Sequence, residues 1–545
     1  MPLRTHLTVL QWSAALYADS VAYKIPKPVS DDGQGQYHWE DVTYREFLLN
    51  VERSARYWTS MLTKQSIPPH SVVGLWLGGL AYMDVLHILG IARAGYIPQL
   101  FSLRLPNPEI IFELMKRAGA KLLIYDVSYA DVVHGCHVPT LVAVDIFSTP
   151  DVQAPLAAIF TPERSDDIAM VFHTSGSTMG SPKLVPCTYG WLDSIISKAN
   201  AISVPCQPGR QDVIVCMGSM CHIGQTLTLI GALQHGTCTV QPTQIAFSSG
   251  ELKQMIRQCG LNRLTQFATF LSMHLRNSRN DPDLLALLQG LDEVLFAGLA
   301  LPQDDEDWAR RNGLLLRNLF GNTECGAMLI SVGGRGSDSL FLRPIEGTKY
   351  GFFPVTPSSA AEETTHYNVN APLLELVILS ESGDCPHMSL RQADGHFHTG
   401  DLFSEVAPGR YFFRGRDDDW IKSENSLRCD TRAIEDNVRA TCGDLVAECV
   451  VVGYGRPSPA LFVEPKGAIE GEKLKKDIIR RIRHFHSRRY MHERIVDAKF
   501  VVIVPKGSLP RTATKGNIRR RAVEEKFKEE LDRVYGTVPD FRTSS

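Results

Sequence analysis

The sequence predicts an α/β protein with a large N-terminal domain of layered sheets and helices and a small α+β domain at the C-terminus. Two observations support this prediction. Short β-branched or apolar runs alternate with amphipathic stretches through about the first four hundred residues, which is typical of largely parallel sheets covered by helices. After about residue 414 the composition changes and a second strand–helix unit follows. With 545 residues the chain is long enough for two to four domains.

The first part of the chain shows the alternation clearly. Ser71–Leu77 and Ala120–Tyr125 are predicted strands, because they are short, apolar and partly β-branched. Tyr82–Ala94, which lies between them, is a predicted helix. We therefore expect parallel strands joined by helices in this region.

The domain boundary is predicted in the polar, turn-prone segment 415–420. This places the large domain at 1–414 and the small domain at 421–545. The small domain has the predicted helices Thr431–Cys442, Lys473–Ser487 and Val523–Arg533, and the predicted strands Val446–Val452, Ala460–Glu464 and Ala498–Val504.

Composition excludes several classes of protein. Hydrophobic residues make up 44% of the chain and charged residues 21%, with a net charge of −3, so neither a nucleic acid nor an anionic membrane is an expected partner. The basic run at 480–483 is interpreted as a solvated helix face. The twelve cysteines show no metal-ligand spacing, which favours buried or free thiols in a reducing compartment. No signal peptide or transmembrane helix is predicted, and a cytoplasmic location is expected.

The segment Phe172–Lys183 has the composition of a phosphate-binding loop. Its glycines allow the backbone to approach an anion, hydroxyl groups add hydrogen-bond donors, and the final lysine adds a positive charge. It is not a Walker A loop, because a Ser-Pro pair separates Gly180 from Lys183. A plain surface loop is the alternative interpretation. The candidate phosphate-binding residues are Thr174, Ser175, Gly176, Ser177, Thr178, Gly180 and Lys183.

This segment and four later motifs resemble the adenylate-forming superfamily, which contains acyl- and aryl-CoA ligases, adenylation domains of peptide synthetases, and luciferases. The resemblance runs from about Val42 to Arg520, with the motifs in family order. The loop is similar to the signature T-S-G-[ST]-T-G-x-P-K, with Met179 as one extra residue. The resemblance implies ATP and Mg²⁺ as cofactors and a small domain that moves relative to the large one.

The second motif, Asn318–Gly326, is similar to the family's N-x-Y-G-x-T-E. The resemblance implies that Phe320 offers a flat face to adenine and that Asn322 also contacts the nucleotide. It implies that Thr323 hydrogen-bonds the α-phosphate and that Glu324 is an oxygen ligand of Mg²⁺. A solvent-exposed turn is the alternative interpretation.

Three C-terminal motifs complete the resemblance. Phe397–Asp401 is similar to Y-R-T-G-D and implies that the carboxylate of Asp401 accepts the ribose hydroxyls. In the segment resembling G-R-x-D-x-x-V-K, Arg416 corresponds to a ribose or phosphate contact and Asp418 to the hinge. Lys515, in a loop similar to L-P-x-T-x-x-G-K, is the candidate catalytic lysine, although lysine and glycine are transposed.

The sequence also bears on the acid that is activated. No Asp or Glu occurs from Ile214 to Gly250, so a substrate ammonium would lack a counter-charge and an α-amino acid is disfavoured. His222 resembles the histidine that aryl- and acyl-CoA ligases hold near the substrate carboxylate; a packing role is the alternative. An aryl, keto or short acyl acid is expected. The predicted pocket walls are Met217, Gly218, Phe267, Gly298, Leu299, Ala300 and Asn318.

The thiol acceptor is left open between a carrier-protein phosphopantetheine and CoA. Similarity to fungal reductase-type adenylation domains favours the carrier, either within a larger synthetase or as a separate protein. Two alternative functions are compatible with the sequence. The chain could be a relative that binds nucleotide but has lost turnover, or a luciferase-like oxygenase. The expected reaction is adenylation of a non-amino carboxylic acid with release of pyrophosphate, followed by transfer to a thiol.

Overall fold

The computed structural model describes residues 2–29, 37–102, 105, 107–153, 155–174, 183–333, 339–355, 373–417, 420–422, 428–467, 470–487, 493–511 and 518–536. Within these residues the chain forms a mixed α/β structure with a large N-terminal domain and a smaller C-terminal one. No helix among the described residues combines the length and the apolar character needed to cross a membrane.

One sheet of the large domain has six strands in the order β6-β5-β3-β4-β7-β8. Its strands run parallel except for the last pair, which is antiparallel. The strands are β3 Val72–Leu77, β4 Ile97–Ser102, β5 Leu122–Tyr125, β6 Thr140–Val142, β7 Ile168–Thr174 and β8 Lys183–Thr188. The helices that precede or join them are α1 His6–Leu16, α2 Tyr44–Lys64, α3 Tyr82–Arg93 and α4 Pro108–Ala118.

A second sheet has thirteen strands, and its middle part is parallel. These strands are β1 Val21–Pro28, β2 Tyr37–Thr43, β9 Val213–Val215, β10 Cys238–Val240, β11 Arg263–Phe267, β12 Glu293–Ala297 and β13 Leu316–Asn322. An antiparallel part continues from β13 with β14 Gly326–Ser331, β15 Leu342–Pro344, β16 Tyr350–Pro354, β17 Leu374–Ile378, β18 Phe397–Ala407 and β19 Arg410–Arg416. The order is β16-β17-β18-β19-β15-β14-β13-β12-β11-β9-β10-β1-β2.

Helices cover both faces of the large sheet. They are α5 Tyr189–Ile202, α6 Ile223–His235, α7 Ser249–Cys259, α8 Ala268–Ser278, α9 Pro282–Gln289 and α10 Gln303–Arg311. The main core contains residues of both sheets together with α2, α3, α5 and α6. A second core packs α7 to α10 against the other face of the large sheet. Helix α5 begins where β8 ends, and the Thr188 side chain caps it by accepting the Trp191 amide at 3.1 Å.

The C-terminal part forms its own small sheets. It contains the pair β20 Trp420–Lys422 and β21 Arg428–Asp430, and a three-stranded sheet of β22 Val446–Val452, β23 Ala460–Pro465 and β24 Val501–Ile503. Its helices are α11 Thr431–Cys442, α12 Gly471–Ser487, α13 Arg520–Lys526 and α14 Lys528–Val534. The first two helices pack on one face of the three-stranded sheet, and α13 and α14 belong to a separate apolar cluster.

The predicted α/β class and the division into a large and a small domain are confirmed. One predicted helix is wrong in detail: Val523–Arg533 is two helices, not one. The backbone leaves helical geometry at Phe527 (φ −107°, ψ 29°), whose ring packs against Phe462 with centroids 5.4 Å apart. Burying this aromatic ring turns the chain between the two charged segments.

Candidate active site

The predicted acid-pocket residues lie together at the carboxyl ends of adjacent parallel strands. Met217 and Gly218 follow β9, Phe267 ends β11, and 298–300 follow β12. Asn318 lies on β13, in register with Phe296 of β12. The crevice at the carboxyl ends of parallel strands is where α/β sheets bind ligands. The topology therefore gathers at one edge residues that are about a hundred positions apart in sequence.

The ring of Phe267 fills the space between two glycines. A Cβ added at Gly218 would lie 3.1 Å from Phe267 Cε2, and one added at Gly298 would lie 3.2 Å from Cδ1. His222 contacts the same ring edge-on, with centroids 5.8 Å apart. Leu299 is 61% exposed, so this predicted wall residue lies at the surface. The predicted wall therefore brings small residues next to one aromatic ring.

His222 sits at the start of α6 with a defined tautomer. Its Nδ1 accepts the Gly224 amide at 3.1 Å. An imidazole nitrogen that accepts a hydrogen bond carries no proton, so the neutral ring holds its proton on Nε2. In this form His222 can donate a hydrogen bond to a carboxylate oxygen.

The motif Asn318–Gly326 forms the β13–β14 hairpin. Asn322 Oδ1 accepts the Cys325 amide at 2.8 Å, which closes the turn that carries Thr323 and Glu324. Gly326 has φ +68°, and a Cβ there would lie 2.8 Å from Ile195 Cδ1 of α5. Only glycine fits this backbone geometry and close approach without strain. Thr323 and Glu324 are therefore presented on a tight turn packed against α5.

Phe320 belongs to an aromatic cluster beside this turn. Its ring meets Phe403 edge-on at 5.1 Å and lies tilted against Phe413 at 4.9 Å. The other two rings come from β18 and β19, so they tie the hairpin to the antiparallel part of the sheet. Phe320 remains half-buried rather than enclosed.

Asp401 and Arg416 lie on the neighbouring strands β18 and β19 and face one another in register. Arg416 Nη1 donates to Asp401 Oδ1 and to the carbonyl of Thr399, both at 3.2 Å. The Thr399 hydroxyl accepts the Asp401 amide at 3.0 Å and donates to the Leu376 carbonyl at 2.7 Å. The predicted ribose carboxylate is thus buried and rigidly held, with a half-exposed arginine next to it.

The two ends of the predicted phosphate loop face each other. Thr174 ends β7 and Lys183 begins β8, and the two are cross-strand partners. The ladder therefore holds a hydroxyl and an ammonium at the base of the loop. The remaining predicted loop residues lie outside the described residues; they are Ser175, Gly176, Ser177, Thr178 and Gly180. Lys515 and Asp418 also lie outside the described residues.

Comparison with known proteins decides the family. The sequence profile described as AMP-binding enzyme matches residues 10–352. The chain belongs to the AMP-binding enzyme family. The profile for the C-terminal domain of AMP-binding enzymes matches residues 418–539, so the family covers both parts of the chain. Its members are adenylate-forming, and the chain is an adenylate-forming ligase that activates a carboxylic acid.

Two curated relatives show how this AMP-binding enzyme compares in length. The AMP-binding domain-containing enzyme iboA of Amanita muscaria is 36% identical over 521 residues, covering 93% of this chain and 98% of iboA. The adenylate-forming reductase stbB of Stachybotrys bisbyi is 25% identical over 474 residues, covering 83% of this chain and 41% of stbB. The chain therefore spans nearly all of one relative and less than half of the other.

A solved structure shares the fold. The o-succinylbenzoate CoA synthetase of Bacillus subtilis, solved with its acyl-adenylate intermediate, aligns with a TM-score of 0.71. The alignment covers 96% of this chain and 99% of the synthetase at 16% sequence identity. At this identity the likeness supports the fold of the AMP-binding enzyme alone.

The residues present fit a magnesium ion that enters with a nucleotide. Among the described residues, no group of three or more His, Cys, Asp or Glu side chains could hold a metal ion. Glu324 offers one carboxylate at the hairpin turn. Mg²⁺ is commonly held by one or two carboxylates together with substrate phosphates, so Glu324 would be the protein's contribution.

The structure adds residues that the sequence did not single out. Gln225 Oε1 accepts the amides of Met217 and Gly218 at 2.8 and 3.4 Å and so fixes the predicted pocket wall.

In α5, Trp191 Nε1 donates to the Glu324 carbonyl at 2.9 Å, and Lys198 Nζ donates to the Cys325 carbonyl at 2.6 Å. The sequence contains one sign of the Lys198 contact. Residues 191, 195, 198 and 202 share one face of the helix, and Lys198 is the one charged residue in this otherwise apolar stripe.

Proposed function

We propose that this ligase activates an aryl, keto or short acyl carboxylic acid, with Mg²⁺ as cofactor, and transfers it to a phosphopantetheine thiol of a carrier protein. The observation that carries the choice of acid is a stretch of sequence without acidic residues that contributes part of the predicted pocket wall. The wall residues are apolar, small or amide-bearing, and no Asp or Glu occurs from Ile214 to Gly250. Burying an ammonium there without a partner would cost several kcal/mol.

In the first step a carboxylate oxygen attacks the α-phosphorus of ATP, the bond from the α-phosphorus to the bridging oxygen breaks, and pyrophosphate leaves. Both reactants are anionic, so catalysis depends on positioning and charge stabilisation. Lys183 and the 174–180 loop residues bind the leaving phosphates, and Thr323 contacts the α-phosphate. Glu324 would hold Mg²⁺, which would neutralise phosphate charge.

The other site residues orient the two substrates. Asp401 accepts the ribose hydroxyls, Arg416 supports it, and Phe320 with Asn322 borders the adenine. His222, with its proton on Nε2, donates to the substrate carboxylate. Lys515 brings that carboxylate to the α-phosphate.

The second step needs a rearranged site. We place the domain boundary at 415–420, with Asp418 as the hinge about which 421–545 rotates. In the described part of the chain, β19 ends at Arg416 in the large sheet, and β20 begins at Trp420 in a separate two-stranded sheet. This change of sheet within a few residues supports hinge motion there. The thiol then attacks the acyl carbon and AMP leaves.

CoA is the alternative acceptor. The coenzyme A synthetase named above shares the fold along nearly its whole length. By contrast, the match covers only 41% of the reductase stbB, which therefore extends well beyond the region matched here. The similarity to the reductase and the Lys515-Gly516 order favour a carrier protein.

Pyrophosphate release tests the proposal. The purified chain is incubated with ATP and Mg²⁺ and a panel of aryl, keto, fatty and amino acids, with and without CoA. We expect release that depends on an aryl, keto or short acyl acid and is not accelerated by CoA. Strong stimulation by CoA would establish the CoA ligase instead, and a preference for amino acids would contradict the pocket argument. Glu324→Gln is the control for Mg²⁺-dependent turnover.

A further inference from the structure

Helix α5 connects the two halves of the nucleotide site. It starts directly after β8, whose first residue is Lys183 at the base of the phosphate loop. Trp191 and Lys198, two helical turns apart on one face, donate to two consecutive carbonyls, those of Glu324 and Cys325. The turn that presents Thr323 and Glu324 is therefore bonded to the helix that follows the phosphate loop.

Lys198 is held by a buried carboxylate. Its side chain is 2% exposed and that of Asp384 is 0% exposed, with Nζ and Oδ2 2.6 Å apart. Asp384 Oδ1 accepts the Ser382 hydroxyl at 2.6 Å, and the Tyr350 hydroxyl donates to Oδ2. The carboxylate is thus fully hydrogen-bonded, and the ammonium keeps a donor for the Cys325 carbonyl.

Such an ion pair is a poor way to stabilise a core. Desolvating two charges offsets most of their attraction, and well-packed apolar residues of similar size are often as stable or more stable. What an apolar pair does not supply is a short, charge-assisted hydrogen bond to the hairpin carbonyl. The feature that distinguishes Lys198 from a leucine or methionine is its contact with the turn.

We infer that Lys198, oriented by Asp384, is a positioning residue for adenylation. Through the Cys325 carbonyl it holds the turn so that Thr323 and Glu324 meet the α-phosphate and the metal ion in a fixed position relative to α5, which begins directly after β8. This inference rests on the proposed roles of Thr323 and Glu324. Supporting contacts of this kind typically change metal affinity or activity by about 10- to 100-fold when removed.

The decisive variant replaces both charges. Lys198→Met with Asp384→Leu removes the ion pair and the bond to the turn but leaves apolar side chains of similar volume. We expect a lowered thermal midpoint, because the Ser382 and Tyr350 hydroxyls and the Cys325 carbonyl lose these hydrogen bonds. Measured per folded molecule below that midpoint, kcat should fall by about 10- to 100-fold with an unchanged KM for the acid. We also expect weaker ATP binding in the presence of Mg²⁺, measured by calorimetry without acid, and unchanged binding without Mg²⁺.

Two further variants keep the test sharp. Lys198→Met with Asp384→Asn keeps one side-chain oxygen that can accept from the Ser382 or the Tyr350 hydroxyl, and it serves if the leucine is not tolerated. Arg279→Met with Asp305→Leu is the matched control, since it removes a buried carboxylate's ion pair from the core on the other face of the large sheet. This control should leave the Mg²⁺ dependence of ATP binding unchanged.

The outcomes separate the inference from the proposed function. If a folded double variant keeps kcat and Mg²⁺-dependent ATP binding within about twofold of the unmodified protein, Lys198 has no positioning role. If Glu324→Gln itself leaves Mg²⁺ dependence unchanged, the proposed metal role of Glu324 fails whatever the Lys198 variants do. A fall in stability with normal turnover per folded molecule would make the pair purely structural.

Discussion

Arg416 donates a hydrogen bond to Asp401 across two adjacent strands, with Nη1 and Oδ1 3.2 Å apart. The carboxylate is buried, whereas the arginine is half exposed. Asp401 is thus held in a fixed orientation by a neighbour that still reaches solvent. This arrangement suits a group that accepts two hydroxyls of an incoming nucleotide.

Asp401→Asn should weaken use of ATP. The amide keeps the shape of the side chain but loses the charge that strengthens hydrogen bonds to hydroxyls, which is worth about 1.5–3 kcal/mol. We expect a KM for ATP raised by about 10-fold or more, with little change in the KM for the acid. The control is Asp394→Asn, an exposed carboxylate in the turn before β18. An unaltered KM for ATP would remove Asp401 from the ribose site.

Gly218→Ala should narrow the acid pocket. The added methyl group would lie 3.1 Å from the Phe267 ring, and overpacking of this kind costs about 1–3 kcal/mol. The kcat/KM for the acid should fall, most strongly for bulky acids, while the KM for ATP stays unchanged. Gly467→Ala is the matched control, because a Cβ there has nothing within 4 Å. Equal activity across acids of all sizes would place the pocket elsewhere.

Arg263→Met should destabilise the protein without impairing its chemistry. Arg263 bonds Asp212 at 3.0 Å and Glu293 at 2.7 Å, and all three are buried at the amino ends of the strands. Removing the cation takes away the positive charge bonded to Asp212 and one of the two bonded to Glu293, which keeps Arg317 at 2.9 Å, so the loss is about 3 kcal/mol. Urea unfolding measures the loss, and turnover per folded molecule should be unchanged.

The control for this loss is Arg257→Met, which removes an exposed ion pair with Asp283. Exposed pairs are worth less than about 1 kcal/mol. Equal effects of the two substitutions would mean that the buried network contributes little to stability.

His398 should make stability depend on pH. Burial lowers its pKa, but the hydrogen bonds that the imidazole donates to Asp394 and Glu375 outweigh burial and raise the pKa above 6.5. A raised pKa in the folded state stabilises the protein below about pH 6.5, and this contribution disappears as pH rises through the folded-state value. His398→Gln should abolish this dependence, which solvent screening limits to about 0.5 kcal/mol.

Urea unfolding at several pH values checks the prediction. The unmodified protein should lose more stability than His398→Gln between about pH 6 and pH 8. Asp394→Asn should remove part of the same effect, because it removes one of the two carboxylates that face the imidazole. If the free energy of unfolding changed with pH in the same way for all three proteins, the proposed contribution of His398 would be wrong.

Local sequence patterns predicted much of the fold. Thr431–Cys442 and Val446–Val452 have the predicted bounds, because amphipathic period and β-branched runs are local signals. Sheet order was not predictable in the same way. Strand β1 pairs with β10, more than two hundred positions later, and such pairing depends on the whole core rather than on either segment.

The candidate site shows the same limit. Motif residues such as Thr174, Asp401 and those of the β13–β14 hairpin could be proposed from the sequence, since the proposed chemistry requires particular side chains in order. The residues that hold the β13–β14 turn in place could not be predicted from the sequence. Lys198 and Asp384 are 186 positions apart, and only the folded chain shows that they meet. A polar residue on an apolar helix face indicates that a partner exists but does not identify it.

The placement of the acid pocket has an evolutionary consequence. Apart from Asn318, the proposed wall residues come from or follow the ends of separate strands, each followed by its own connecting segment, whereas the proposed nucleotide contacts lie on the hairpins β7–β8, β13–β14 and β18–β19. A substitution at one strand end can therefore reshape the cavity while the ATP contacts stay intact. New substrate preferences can therefore arise by changes in one loop at a time. An ancestral enzyme of this kind can diversify in the acid it accepts while it continues to bind ATP.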